Sequence, residues 1–401
     1  MKIRIVSLLL IFIITQSMMA QLISLGLVEE SNIENKKNEI KRGYSCFIPE
    51  VKFIGGSMLY AGTPSGLYKC NISNLDAVQW EKLPITDDII EDFEIRGDTV
   101  IVLSRKELLL SVDGGMTVEQ RLSDSVFVDG CHSIRELHSI AVHPNDAKRI
   151  YVANQLNYLS YTDDFGKSWI RLGSWGLTGL CYSPHDSNHL IGFYNHPVYD
   201  ETSTFISRDG GLTWTCSNNE TDKNPFMETF RIAFHPTDEN RLVTCGGIGL
   251  SLSYDGGTTW EQMMYTNGKW QYPVASIYDV TYDTRNPNTL YGANMYTGLE
   301  LDTDTMKVIR STDGGLTWSE FFSEPMANKG LLRMDIKDNL LALYTSANGI
   351  YLLDVDAVET SISATENRKT MVTPYYDLQG RPVVNPARGI YIKDGKKIAV
   401  D

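Results

Sequence analysis

The sequence predicts an all-β chain: a seven-bladed β-propeller followed by a small C-terminal β tail. Two interleaved repeats and a change of pattern near residue 357 carry that expectation. The first repeat is an eight-residue turn, Ser-Thr-Asp-Gly-Gly-Leu-Thr-Trp over 311–318, with close copies over 207–214 and 253–260. A looser copy over 162–169 keeps Asp164, Gly166, Ser168 and Trp169. The copy that begins at Ser111 keeps Asp113, Gly115 and Thr117 but has Val118 where the others have Trp. The second repeat is a turn followed by a β-rich strand, with strand starts at 58, 99, 149, 189, 241, 289 and 340. Starts at such even spacing imply seven blades of four strands each.

Each eight-residue copy lies between two apolar, strand-like runs, so it is expected to be a hairpin turn. Its Asp can accept backbone N–H groups of its own turn, and its Gly takes the φ > 0 position. The Thr or Ser hydroxyl ties the other side, and the Trp starts the next strand with a large apolar surface. Asp113, Asp164, Asp209, Asp255 and Asp313 are therefore expected to be structural rather than catalytic.

The eight-residue turn resembles the Asp-box, or bacterial neuraminidase repeat, of secreted β-propellers. Four strands of the second repeat follow turns of related type: 143–146, 183–186, 235–238 and 283–287, each with Pro near the start or end and Asn or Asp beside it. The two motifs together, over roughly 45–356, resemble the propellers of xyloglucan-degrading hydrolases, sortilin-type receptors and photosystem assembly factors. That resemblance implies the fold and leaves activity open. Xyloglucan hydrolases of this type pair two propellers, whereas this chain holds one.

Residues 1–20 have basic Lys2 and Arg4, an apolar run over 5–14, and small or neutral residues leading to Ala20, so a cleaved signal peptide is expected. The apolar run is too short to span a bilayer. Residues 21–41 read as a flexible lead, 42–356 as the propeller, 357–370 as a polar linker and 371–401 as a β tail with two hairpin-like units. The tail resembles the sorting signals of Bacteroidetes proteins exported by the type IX system; the other reading is a small β cap. Blade 7 lacks a fourth strand after 351–355, and residues 43–47 are expected to supply it. A secreted or cell-surface location follows, with the chain expected to be a monomer.

The net charge is −14 and no Lys/Arg-rich run occurs, which argues against nucleic acid and anionic membrane surfaces as partners. No transmembrane segment and no cofactor are expected. Six cysteines, Cys46, Cys70, Cys131, Cys181, Cys216 and Cys245, have no Cys-x-x-Cys spacing that would suggest zinc or redox chemistry. Cys181, Cys216 and Cys245 lie in apolar strand patterns and are expected to be buried; Cys46–Cys70 is the first disulfide pairing to test.

A glycosidase needs two carboxylates across a cleft, about 5–10 Å apart. Inner strands and blade connections offer Asp92, Glu136, Glu228 and Asp279. Sialidases share Asp-boxes, but their early Arg-Ile-Pro motif is absent, with only Phe230-Arg231-Ile232-Ala233 as a fragment. His132, Glu136 and His138 alternate along one strand face, yet share it with Ile134, Ile140 and Val142, so no metal site is expected. Trp175, Tyr194, Tyr199, Trp270, Tyr272 and Tyr296 fall in loops on the face opposite the repeated turns, where exposed aromatics can stack on sugar rings or anchor a peptide. Two functions remain: a non-catalytic propeller that binds an extracellular glycan or protein, which the missing catalytic constellation favours, and a glycoside hydrolase of the Asp-box superfamily.

Overall fold

In a computed structural model of the chain, seven four-stranded antiparallel sheets form the blades. The structure describes residues 22–27, 50–104, 107–123, 137–154, 159–172, 177–195, 202–217, 229–246, 249–263, 265–266, 269–270, 277–294, 305–325, 331–345, 349–360, 375–376, 382–383, 388–393 and 396–400.

The innermost strands are Glu50–Ile54, Ile90–Arg96, Leu137–Val142, Gly179–Tyr182, Thr229–Phe234, Ile277–Tyr282 and Leu331–Lys337, in blades 1 to 7. Each touches the innermost strand of the next blade, and the seventh touches the first, so the strands ring a common axis. The propeller expected from the repeats is the fold observed.

Core side chains pack between blades, as two-faced sheets stacked around an axis require. Ile101, Leu108 and Leu110 of blade 2 meet Ile140, Ile150 and Val152 of blade 3. Leu59 and Ala61 of blade 1 meet Ala342, Ile350 and Leu352 of blade 7. Strand residues thus alternate between two apolar neighbours, which explains runs such as Thr99–Ser104, buried from Val100 onward.

The ring closes through Leu22–Gly26, which pairs antiparallel with Ile350–Asp354 as the outer strand of blade 7. This corrects the expectation that residues 43–47 close it; those residues lie outside the described ones. The closing strand comes from the stretch read as a flexible lead. Its Leu25 is buried among blade 7 and blade 1 residues, and Trp80 of blade 1 donates its indole N–H to the Leu25 carbonyl at 2.9 Å. The strand has only five residues, four of them paired, too few for a clear alternation, which is why the sequence does not reveal it.

The five repeated turns share a core of hydrogen bonds, in which the Asp accepts the first and seventh hydroxyls and the seventh N–H and the first hydroxyl accepts the fifth N–H; the copy at 207 adds two more. In the copy at 207, the Asp209 carboxylate accepts Leu212 N, Thr213 N and the Thr213 hydroxyl at 3.1, 2.9 and 2.6 Å, and the Ser207 hydroxyl at 2.8 Å. Ser207 in turn accepts Gly211 N at 2.7 Å. The Trp214 indole N–H returns to the Gly211 carbonyl at 2.8 Å. Gly211 has φ +92°, and a Cβ there would sit 2.6 Å from the Tyr151 ring of the preceding blade. The glycine is thus required by backbone shape and by inter-blade packing together. In blade 3 the non-glycine Phe165 takes a positive φ of 62° and buries its ring in the blade 2–blade 3 core.

Cys70 and Cys245 are buried free thiols and Cys181 is a half-buried one. Cys216 is exposed, contrary to expectation, because it lies in a two-residue outer strand whose residues both face solvent. The Cys46–Cys70 pairing is not formed: Cys70 is a free thiol, and Cys46 lies outside the described residues. Burial pushes the Cys70 thiol up to about 12, so it is a poor nucleophile.

The chain divides into two compact units, and the described residues after Asp354 belong to the smaller one. In this part, Tyr375–Tyr376, Pro382–Val383, Gly389–Lys393 and Lys396–Val400 form a four-stranded sheet.

Candidate functional site

The innermost strands bring charged side chains to the axis at matching register. Strand pairing aligns Glu50, Asp92, Ser139, Gly179, Arg231, Asp279 and Arg333 at one level. Two residues further on, Lys52, Glu94 and Asp335 add a second charged level, while blades 3 and 4 supply Ala141 and Cys181. The innermost strands start at the face opposite the repeated turns, so the first level is the one nearer that face. Charge is therefore concentrated on blades 1, 2, 5, 6 and 7.

Most of these charges are paired. One Arg231 nitrogen of blade 5 donates to both Glu50 oxygens of blade 1, at 2.9 and 3.0 Å. The same guanidinium lies 3.4 Å from Asp279 of blade 6. Arg333 of blade 7 lies 3.4 Å from Glu50 and donates to the Tyr278 carbonyl at 2.9 Å. Lys52 of blade 1 meets Asp92 and Glu94 of blade 2 at 3.4 and 3.2 Å, and donates to the Phe93 carbonyl at 2.7 Å. Burial alone would raise the Glu50 carboxyl, but Arg231, Arg333 and Lys52 outweigh it and hold Glu50 down at about 2. Burial dominates at Asp335 and pushes its carboxyl up to about 6.

Three aspartates reach across blade boundaries. Asp92 accepts Ile140 N of blade 3 at 3.0 Å and its own neighbour Phe93 N at 2.8 Å. Asp279 accepts Met334 N of blade 7 and Val280 N, both at 2.8 Å. Asp335 accepts Phe53 N of blade 1 at 2.6 Å and Ile336 N at 2.9 Å. Bulges at Ile90/Asp92 and Ile277/Asp279 turn the first two side chains toward the next blade. Such ties satisfy innermost-strand N–H groups that face the axis rather than a partner strand.

Two of the four catalytic candidates, Asp92 and Asp279, are thus ties between blades, and Asp279 is fully buried. Glu136 and Glu228 lie outside the described residues, as do Trp175, Tyr199, Tyr272, Tyr296 and His132. Tyr194 is the penultimate residue of the second strand of blade 4, opposite Ser203, half-buried. Trp270 lies on a two-stranded hairpin with Tyr265 as its cross-strand partner, in the connection between blades 5 and 6. No metal-ligand group of three occurs among the described residues. Sequence reasoning missed Glu50, Arg231, Arg333 and Asp335. A single charged residue inside an otherwise apolar innermost strand, as in Thr229–Phe234, is the signal that could have found them.

No family model matches the chain, and no curated protein matches it. Solved structures do. YCF48 bound to D1 peptide is 16% identical over 76% of this chain and 90% of that one, with a TM-score of 0.52. The GH74 xyloglucanase from Xanthomonas campestris is 14% identical over 78% of this chain, with a TM-score of 0.56; this chain spans about half (52%) of that one. The Neurospora crassa Pan2 WD40 domain is 16% identical over 83% of this chain and 94% of its own, with a TM-score of 0.52. These likenesses define the class, a seven-bladed β-propeller. At such identities they carry the fold alone.

Proposed function

We propose that the chain is an extracellular Asp-box propeller that binds a glycan or protein without turning it over. The observation that supports this reading is the use of Asp92 and Asp279. A glycosidase keeps one carboxyl free to give a proton and another free to attack or to activate water. Here both carboxylates accept the N–H groups of neighbouring strands, and Asp279 has no exposed surface. The five turn aspartates are likewise consumed by their own turns. The ligand is assigned to the face opposite the repeated turns, where connections between blades vary most in length, since variable loops on a rigid scaffold are where recognition sits.

The test is a glycan and peptide array read beside a hydrolysis screen on plant, host and bacterial polysaccharides. Saturable binding without product supports the reading. Product formation that disappears in Asp279→Asn, with melting unchanged, would replace it with a glycoside hydrolase.

The destination belongs to the same proposal. Residues 1–20 direct export and 371–401 act as a type IX sorting tail. A chain truncated after Val358 should remain in the periplasm of its native host while the full chain reaches the surface or medium. Equal release of both would reduce the tail to a β cap.

A further inference from the structure

Two of the eight positions of the repeated turn lie at the solvent surface. The first and seventh bond the Asp at the third, the fifth packs on the preceding blade, and the eighth starts the outer strand. The second and sixth face solvent in all five copies. A turn that only redirects the chain would carry polar residues there. Polar residues do occupy five of the ten places (Asp163, Lys167, Arg208, Thr258 and Thr312), but Val112 and Met116 occupy both in blade 2, and Leu212, Tyr254 and Leu316 one each in blades 4, 5 and 6, with exposures of 49–57%. Ile170, next to Trp169 in blade 3, is 51% exposed. Among the described residues the other exposed large hydrophobic, Ile390, lies in the tail. Scattered exposed side chains need no explanation, but recurrence at two positions of one repeat does.

All these turns share one face, because the strands alternate direction. We propose that the turn face of blades 2 to 6 is a docking surface for a basic protein whose apolar side chains meet these studs. Charge on that face selects the partner. Asp113, Asp209, Asp255 and Asp313 lie within three residues of a stud, and the hydrogen bonds of each turn keep their carboxylates ionised. Asp98, Asp186, Asp238 and Glu239 join them from the neighbouring turns of the same face. Of the arginines there, Arg149 pairs with Asp163 at 2.5 Å and Arg285 with Asp283 at 3.0 Å, while Arg208 and Arg241 bond neutral acceptors, the Gly256 carbonyl and Asn288, and keep their charge; the eight carboxylates named outnumber these two. Lys148 and Lys167 are confined to blade 3. A cationic surface therefore gains charge pairing as well as apolar burial. A bilayer would have to take in the carboxylates beside each stud, and among the described residues of this face Tyr254 is the exposed large aromatic on which a neutral glycan could stack. This surface is separate from the ligand face proposed above, so either can fail alone.

The full-length mature protein is tested by biolayer interferometry against an immobilised alternating lysine–leucine peptide. A glutamate–leucine peptide and phosphatidylcholine vesicles are the comparison probes, and sedimentation of the protein alone is the fourth arm. The variant is the triple Leu212→Ser/Tyr254→Ser/Leu316→Ser, with Ile390→Ser as control; all four positions are exposed, so melting checks that folding is retained. Binding to the lysine peptide that falls at least about tenfold in the triple variant, falls with added salt and survives in the control supports the proposal. No binding, or equal binding by the triple variant, overturns it. So does stud-dependent binding to vesicles alone, or self-association that the triple variant abolishes, which would make the occupant a lipid surface or a second copy.

Discussion

The Asp335 carboxylate of blade 7 accepts the backbone N–H of Phe53 in blade 1 at 2.6 Å, joining residues 282 positions apart in the chain. Asp279–Met334 and Asp92–Ile140 repeat the arrangement at the blade 6–7 and blade 2–3 boundaries. An acidic residue in an apolar innermost strand of a propeller invites a catalytic reading. The geometry makes it a tie.

Removing such a tie should therefore cost stability. Asp279→Ala leaves Val280 N and Met334 N without acceptors and Arg231 without one of its anions, so it should destabilise by about 3–5 kcal/mol. Asp279→Asn keeps one acceptor and should cost about 1–3 kcal/mol. Urea unfolding measures both; a midpoint unchanged in the alanine variant would refute the tie.

The axial charges predict an unusual pH profile. Glu50 is held at about 2, below its unfolded value, so its contribution is complete above about pH 4.5 and is lost as pH falls toward 2. Asp335 is raised to about 6, so its contribution is present below about pH 4 and is lost as pH rises through 6. Stability should thus peak near about pH 4–5. Asp335→Asn should flatten the decline between about pH 4 and 6. The readout is the melting temperature across that range, and an unaltered decline would remove Asp335 as its source.

The closing strand should be required for a cooperative propeller. A chain beginning at residue 28 exposes the edge of Ile350–Asp354 and should melt at least about 5 °C lower, with a broadened transition. Trp80→Phe, which keeps the strand but loses the bond to Leu25 and part of the ring packed on the blade 7–blade 1 core, should cost about 1–3 kcal/mol. Calorimetry of the two variants separates the strand from the Trp80 side chain.

Adjacent glycines of one turn should differ. Gly210 has φ +75° and an ideal Cβ there finds nothing closer than 3.7 Å, so Gly210→Ala should cost about 1–2 kcal/mol from backbone strain. Gly211→Ala adds a 2.6 Å clash with Tyr151 and should cost about 2–4 kcal/mol. Equal costs would mean that Tyr151 moves aside freely.

The fold was legible because its repeats are local. A turn that must hold Asp209 between Ser207 and Thr213 writes its needs into eight consecutive residues. The axial cluster was not legible, because Glu50 and Arg231 are 181 residues apart and meet only when the ring is closed. The same holds for the closing strand, whose five residues acquire meaning only beside Ile350–Asp354. Asp92 and Asp279 were legible as notable residues; their role was not, since only the bulges before them aim the side chains at the next blade.

The most direct test of the binding assignment is reducing-sugar release by the purified mature chain across a polysaccharide panel, with melting recorded for the same samples and for Asp279→Asn. The account predicts no release by the native chain and a lowered melting temperature in the variant. Release by the native chain that vanishes in Asp279→Asn at an unchanged melting temperature would contradict it.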